Sequence, residues 1–481
     1  MNTHAMNTDK KLWLAIGACL LLTACASTPK SVLDSAQKAM GNPNSLQYSA
    51  TGMNAFFGQA LGNGKEWPRR ELASYTRTIN YPQKSSSEQL TFVQPTFPGP
   101  SREQNTQVNG DKAWNMGPNG PVAQPANAES RQLQIWLTPH GFVRAALDAA
   151  DATLTKAADG SNVITFTALG KYKISGTIDS QSMVTKVETM MPDPVLGDMP
   201  VVTTYADYKD YNGVKFPTKI VQTQGGFPVW DITVTSVQTN AAADLPVPPA
   251  VQAAAAAPAT VQTTKLADGV WFLTGGSHHS LVVNFKDYIA VIEAPLNEDR
   301  SMAVIAEAKK LVPNKPIKYV INTHHHFDHA GGLRTYVAEG ATVVTHDSNR
   351  GYFEKTFLAP ATLAPDALSK APKAATIQGV TDKDKFELTD GKQTIDVYST
   401  PGDTHTDEML VVYLPASKIL VEADSFSPQM PNAVASPVPP NALNLYNNIQ
   451  RLKLNVATIA PIHGRGAVPY AEFLKFIGKR S

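Results

Sequence analysis

The sequence predicts a two-domain protein, with a β-rich N-terminal half and a C-terminal half whose sheet-rich core is covered by helices. Three observations predict this. Residues 26–240 read mostly as runs that alternate polar with apolar or β-branched residues, the period of half-buried strands. Residues 241–260, "AAADLPVPPAVQAAAAAPAT", are nearly all Ala, Pro and Val and carry no pattern that could pack, as an extended, semi-rigid linker would. From Val261 to Ser481, strand-like and helix-like runs alternate. A chain of 481 residues also exceeds what one ordinary hydrophobic core serves.

The first element is "KKLWLAIGACLLLTAC", a basic start at Lys10 and Lys11 followed by an apolar run too short for a membrane span. It reads as a signal peptide over residues 1–25, and "MNTDKK" from Met6 already forms a complete basic region. Leu22-Thr23-Ala24-Cys25 resembles the bacterial lipobox, which implies cleavage before Cys25, lipidation of that cysteine and a firm membrane anchor. Ala26 resembles the residue found in lipoproteins sent to the outer membrane, so the expected location is the periplasmic side of the cell envelope. Cys19 and Cys25 are the only two cysteines, so a metal in the mature protein would be held by nitrogen and oxygen.

Strands follow in "SLQYSATGM", "LASYTRTINY", "VITFTALGKYKISGTI" and "SMVTKVETMM", with turns at Asp159-Gly160 and Asn212-Gly213. "ESRQLQIWLTPHGFVRAALDAA" reads as helix, broken around Pro139-His140-Gly141. "YADYKDYNGVKFPTKIVQTQ", Tyr205 to Gln224, resembles the C-terminal strands of periplasmic lipoprotein-carrier half-barrels. That resemblance implies a curved antiparallel sheet wrapped over helices around an apolar cavity. An unrelated β-rich accessory domain stays open as the alternative.

In the C-terminal half, "GVWFLTG", "HSLVVNF", "DYIAVIEA", "IKYVINT", "ATVVTH", "TIDVYST", "MLVVYLP" and "KILVEA" read as strands. "EDRSMAVIAEAKKLV" reads as a helix with Met302, Ile305, Ala306 and Leu311 on its apolar face, and "NLYNNIQRLKL" as another. Proline-rich "SPQMPNAVASPVPPN", Ser427 to Asn441, reads as a stiff loop over a site mouth, with Met430 and Val434 as apolar contacts, and an inert connector stays open as the alternative.

The chemistry concentrates in "NTHHHFDHAGG", Asn322 to Gly332. Histidines two apart share one face only on an extended chain, so His324 and His326 project together from the end of "IKYVIN". Asp328 and His329 follow on a tightening turn, and His325 and Phe327 point elsewhere. His324-x-His326-x-Asp328-His329 matches the H-x-H-x-D-H motif of the metallo-β-lactamase fold superfamily, which the C-terminal half resembles. His405 in "STPGDTHTDEM", Asp424 in "KILVEADSFS" and His463 in "VATIAPIHGRG" follow in the family's order, each after a strand. Asp424 resembles the metal-bridging carboxylate of glyoxalase II-like members.

The resemblance implies an αββα sandwich and a dinuclear site. His324, His326 and His405 would hold one ion, Asp328, His329 and His463 the other, and Asp424 with a water would bridge them. Zinc is the expected metal, and the second, oxygen-richer set also suits iron or manganese. A bridging hydroxide would attack a small-molecule carbonyl in an ester, lactone, thioester or amide, with Asp328 as the catalytic residue that orients it. His278 and His279 in "GGSHHSLVV" are candidate pocket-lining residues, while His346 is read as structural and His140 and His4 are discounted. Two alternatives stay open. One is a β-lactam hydrolase, from which Asp424 and Ser427 depart, since lysine holds the substrate carboxylate at the latter position in the cysteine-bearing lactamases. The other is a non-catalytic, lipid- or hydrophobic-ligand-binding lipoprotein. With 42 Lys+Arg against 41 Asp+Glu, the net charge of +1 gives no reason to expect nucleic acid.

Overall fold

The structure, a computed structural model, describes residue 1 and residues 27–93 and 103–479. The expected lipobox, both cysteines and His4 lie outside the described residues.

The N-terminal half is one antiparallel sheet, thirteen-stranded among the described residues. The chain runs outward from Ser45–Ala55 through successive hairpins to the edge strand Gly120–Ala123. Two helices, Ala128–Trp136 and Pro139–Asp148, then carry it back to the opposite edge at Thr153–Lys156. From there a second meander returns until Phe227–Thr239 pairs with Ser45–Ala55 in the middle of the sheet. The break between the two helices falls at Leu137 and Thr138: Thr138 caps the second helix through Gly141 N, and Pro139 occupies the first turn, where no amide donor is needed. The sheet's inward residues close on these helices and on Pro29–Met40, burying Leu33, Met40, Leu133, Phe142, Ile164 and Phe216.

A cavity of about 200 Å³ lies inside this half. An apolar interior was expected, but Arg77, Glu88, Arg131 and Gln134 line it together with Tyr48 and Trp230. Residues 241–260 also differ from a free spacer. Ala241 O, Ala243 O and Leu245 O accept hydrogen bonds from Ser45, Asn80 and Asn109, and Pro249–Gln252 forms one short helical turn. The segment is therefore fastened along the first sheet.

The C-terminal half has two sheets packed face to face. One has seven strands from Gln262–Ala267 to Thr376–Val380, the other six from Phe386–Thr389 to Val468–Pro469. Period-two alternation sends side chains to both faces, and both faces are buried. In Ser280–Asn284, Leu281 and Val283 face the other sheet while Val282 faces helices. Ile395, Val397, Leu410 and Val412 answer from the six-stranded sheet. Helices Glu298–Leu311, Leu333–Glu339 and Arg350–Phe357 cover one outer face, and Pro440–Arg451 and Tyr470–Phe476 the other. The four layers run helix, sheet, sheet, helix.

Two local expectations are corrected. The buried face of Glu298–Leu311 is Ser301, Val304, Ile305 and Ala308, a clean i, i+3, i+4, i+7 set, and Met302 and Ala306 point outward. The segment from Ser427 to Asn441 leans on the C-terminal helix through Ala435 N to Phe476 O, leaving Met430 and Val434 exposed.

Candidate metal centre

Each candidate ligand sits just past a strand of the sandwich. His324, His326, Asp328 and His329 follow Ile317–Ile321, and His405 follows Thr394–Ser399. Asp424 follows Ile419–Glu422, and His463 follows Thr458–Pro461. The strand ends three residues before His324, and His326 then opens a single helical turn, Phe327–Ala330, which swings His329 back over the strand end. Gly331 and Gly332 do not serve a left-handed turn. A Cβ on Gly331 would lie 2.1 Å from Leu296 O, and one on Gly332 1.9 Å from Ser301 Oγ, so the chain passes too close for any side chain.

The seven predicted residues converge, and His278 joins them. Ligand atoms of His324, His326 and His405 lie within 4.8 Å of one another, as do those of His278, Asp328, His329 and His463. Asp424 lies between the groups: Oδ2 is 3.4 Å from His324 Nε2, 3.6 Å from His405 Nε2 and 2.8 Å from His329 Nε2. Its Oδ1 is 3.1 Å from His463 Nε2. Asp424 adopts φ 60°, a left-handed conformation that aspartate tolerates and that turns the carboxylate off the strand end.

His278 Nε2 is 3.0 Å from Asp328 Oδ2, and the His278 ring lies 4.1 Å from that of His463. His279 turns away, with Nε2 on Gly464 O at 2.9 Å and its ring edge-on to Phe272. His346 bonds Ser348 and Asp382, and His140 is buried in the N-terminal core, so both stand apart from the cluster.

The donor set suits cations. His324 Nδ1 bonds Thr323 Oγ1, while its Nε2 is buried with no hydrogen-bond partner. His326 Nε2 bonds a carbonyl, while its Nδ1 is buried with no partner. Buried nitrogens left unpaired are costly unless something accepts their lone pairs. Burial holds His324, His326 and His405 below the usual imidazole range, and lowers His278 to about 4. Burial also opposes charge on Asp328 and Asp424, but His329 outweighs it and keeps both carboxylates ionised. Burial would likewise lower His329, yet Asp424, Asp328 and Glu293 raise it well above its ordinary value. A nest of carboxylates that stabilises a positive charge on His329 would equally stabilise a metal cation.

Four supporting residues escaped the sequence reading. Glu293, fully buried at φ 72°, accepts Thr323 N at 2.6 Å and faces His329 Nδ1 at 2.7 Å, so His329 presents Nε2 to the cluster. Glu408 pairs with His325, which explains why that histidine leaves the ligand set. Asp403 accepts His405 N at 2.8 Å, and burial raises its carboxyl to about 6. Gln59, from the N-terminal half, donates to Asp328 Oδ1 at 2.7 Å. An acidic residue at a strand end, as in "VIEAP", was the one local signal available for Glu293.

Residues 273–461 match the model of the metallo-beta-lactamase superfamily. Among curated proteins, a linear primary-alkylsulfatase from Pseudomonas sp. (strain ATCC 19151) is 24% identical, over 31% of this chain and 34% of its own. The chain thus spans about a third of that relative's length. Among solved structures, a metallo-beta-lactamase from Pontibacter korlensis is 21% identical, covering 46% of this chain and 98% of that one, with a TM-score of 0.34. One from Hirschia baltica is 20% identical over 46% and 99%, TM-score 0.34. The FIM-1 enzyme from Pseudomonas aeruginosa, in a mono-zinc form, is 19% identical over 45% and 93%, TM-score 0.35. The family model spans the strands that carry the site from His278 to Asp424 and ends two residues before His463, so the match to the metallo-beta-lactamase superfamily lies in the C-terminal domain, over residues 273–461.

Proposed function

We propose that the protein is a two-metal hydrolase of a small-molecule ester, lactone, thioester or amide. The observation that carries this reading is the pair of orphaned nitrogens, His324 Nε2 and His326 Nδ1, beside a carboxylate that touches histidines of both groups. His324, His326 and His405 would hold one cation, and Asp328, His329 and His463 the other, with Asp424 between them. His278 is a further donor on the second side. When bound, two divalent ions, zinc first among them, supply a nucleophile at neutral pH and polarise the substrate oxygen.

The chain's own residues do the rest. Asp328, held ionised, orients a water by accepting a hydrogen bond from it at a carboxylate oxygen. Glu293 fixes the His329 tautomer by accepting from Nδ1. The buried walls keep bulk solvent from the charged cluster, which strengthens every interaction within it. A lipid anchor at Cys25 on the periplasmic side of the envelope belongs to the same proposal and rests on the sequence alone.

The test is metal analysis of the purified protein beside a screen of chromogenic lactone, thioester, ester and lactam substrates. A primary alkyl sulfate joins the screen because of the alkylsulfatase relative. About two ions per chain and chelator-sensitive turnover are expected, with Asp328→Asn losing turnover steeply. Less than one ion per chain, or turnover indifferent to chelator, overturns the reading. A ligand bound equally well by Asp328→Asn, with no turnover in either protein, would favour the non-catalytic alternative.

A further inference from the structure

The loop 56–68 joins strands Ser45–Ala55 and Arg69–Asn80 of the N-terminal sheet, and Trp67 Nε1 bonds back to Gln224 O, yet several of its polar contacts reach the candidate metal centre of the other domain. Gly58 O accepts Phe327 N at 3.2 Å, Gln59 Nε2 donates to Asp328 Oδ1 at 2.7 Å, and Ala60 O is 2.8 Å from His326 Nε2. Leu61 O then accepts Asp407 N at 2.8 Å and Thr406 Oγ1 at 3.2 Å, just past His405. Lys65 reaches Asp407 at 2.6 Å. The loop therefore spans the two segments that carry His324 and His326 on one side and His405 on the other.

We propose that this loop is part of the metal centre, with Gln59 as a positioning residue for Asp328 and the Ala60 carbonyl as the group that sets the His326 tautomer. The inference rests on the two-metal reading above. A carbonyl only accepts, so His326 Nε2 must carry the proton, and the lone pair is left on Nδ1, the buried nitrogen without a partner. Gln59 occupies one oxygen of Asp328, and His278 lies at the other, so the carboxylate plane is fixed from both domains.

Phe327, between His326 and Asp328 in sequence, is held edge-on by Phe57 at 5.3 Å and Trp67 at 5.4 Å. Gly58, at φ 79°, packs so closely that a Cβ would lie 2.8 Å from the Phe327 ring. Domain packing alone would be served by these aromatic rings. It does not require an amide on one candidate ligand and a carbonyl on another, which is how groups behind metal ligands orient them.

The experiment titrates Co²⁺ into the metal-free full chain, following stoichiometry, affinity and the visible spectrum of each equivalent. Wild type, Gln59→Met and Gly58→Ala are compared, with thermal melts to show that each is folded. Gln59→Met keeps the length of the side chain and removes the donor. It is expected to weaken one equivalent by about 10- to 100-fold and to change that equivalent's spectrum. Gly58→Ala, which lifts the loop from Phe327, is expected to weaken both equivalents. If wild type takes up two ions and both folded variants match it in affinity and spectrum, the loop is packing only and the inference fails. If wild type itself takes up no second ion, the two-metal reading fails first and this inference with it.

Discussion

Glu293→Gln tests whether a group outside the ligand set controls the second half of the centre. The substitution keeps shape and keeps an acceptor for Thr323 N, now bonded at 2.6 Å. It places an amide NH₂ where a carboxylate oxygen faces His329 Nδ1 at 2.7 Å. Two donors cannot share that contact, so His329 must move its proton to Nε2, the nitrogen directed at Asp424 and His463. That nitrogen then has no lone pair for a cation. A buried hydrogen bond to a charged group contributes about 1.5–3 kcal/mol, which corresponds to about 10- to 150-fold in affinity. Zinc competition against a chromophoric chelator reads the loss, which is expected in one equivalent only. Glu408→Gln, beside His325, is the control and should leave zinc affinity near wild type while lowering stability. A Glu293→Gln protein that holds both ions within about threefold of wild type refutes the tautomer argument.

Two further outcomes concern the N-terminal domain. Burial lowers the His140 imidazole to about 4, so the unfolded chain takes up a proton that the folded domain refuses. This contribution is intact above the ordinary value of 6.5 and is lost as pH falls toward 4, by up to about 3 kcal/mol. Urea unfolding of wild type against His140→Gln should show the steeper loss in wild type across that window, and parallel curves would refute it. Gly176→Ala places a Cβ 2.2 Å from the buried Phe142 ring, between sheet and helix. Overpacking of this kind costs about 1–3 kcal/mol, so the melting temperature should fall, and Phe142→Leu in the same chain should restore part of it. Gly176→Ala melting with wild type would show that the ring moves freely.

The convergence of the candidate ligands was legible because they are either adjacent, as from His324 to His329, or placed just after β-branched runs whose period is visible. Glu293 and Asp403 act through one or two specific contacts each, and such contacts leave no periodic trace. The face of Glu298–Leu311 was misplaced because Met302 and Leu311 are as apolar as the residues that are buried. Only the sheet beneath settles that Val304 and Ala308 point inward. The polar cavity lining was hidden for a related reason, since Arg77 and Glu88 sit at strand positions that read as solvent-facing. Gln59 and Ala60 lay furthest from view. They meet the centre across 269 and 266 residues of chain, through a domain docking that no local pattern encodes.

The central pairing of Ser45–Ala55 with Phe227–Thr239 has a consequence for the order of assembly. Loop 56–68 springs from Ser45–Ala55, a strand that acquires its final neighbour only when Phe227–Thr239 is in place. A chain emerging N-terminus first exposes Gln59 early, but the platform that aims it waits for residue 239, and its targets arrive later still. Contacts of such long sequence separation close slowly, after the local hairpins and helices have formed. On the proposed two-metal reading, cation capture would then follow the docking of the two domains and mark that they are correctly joined.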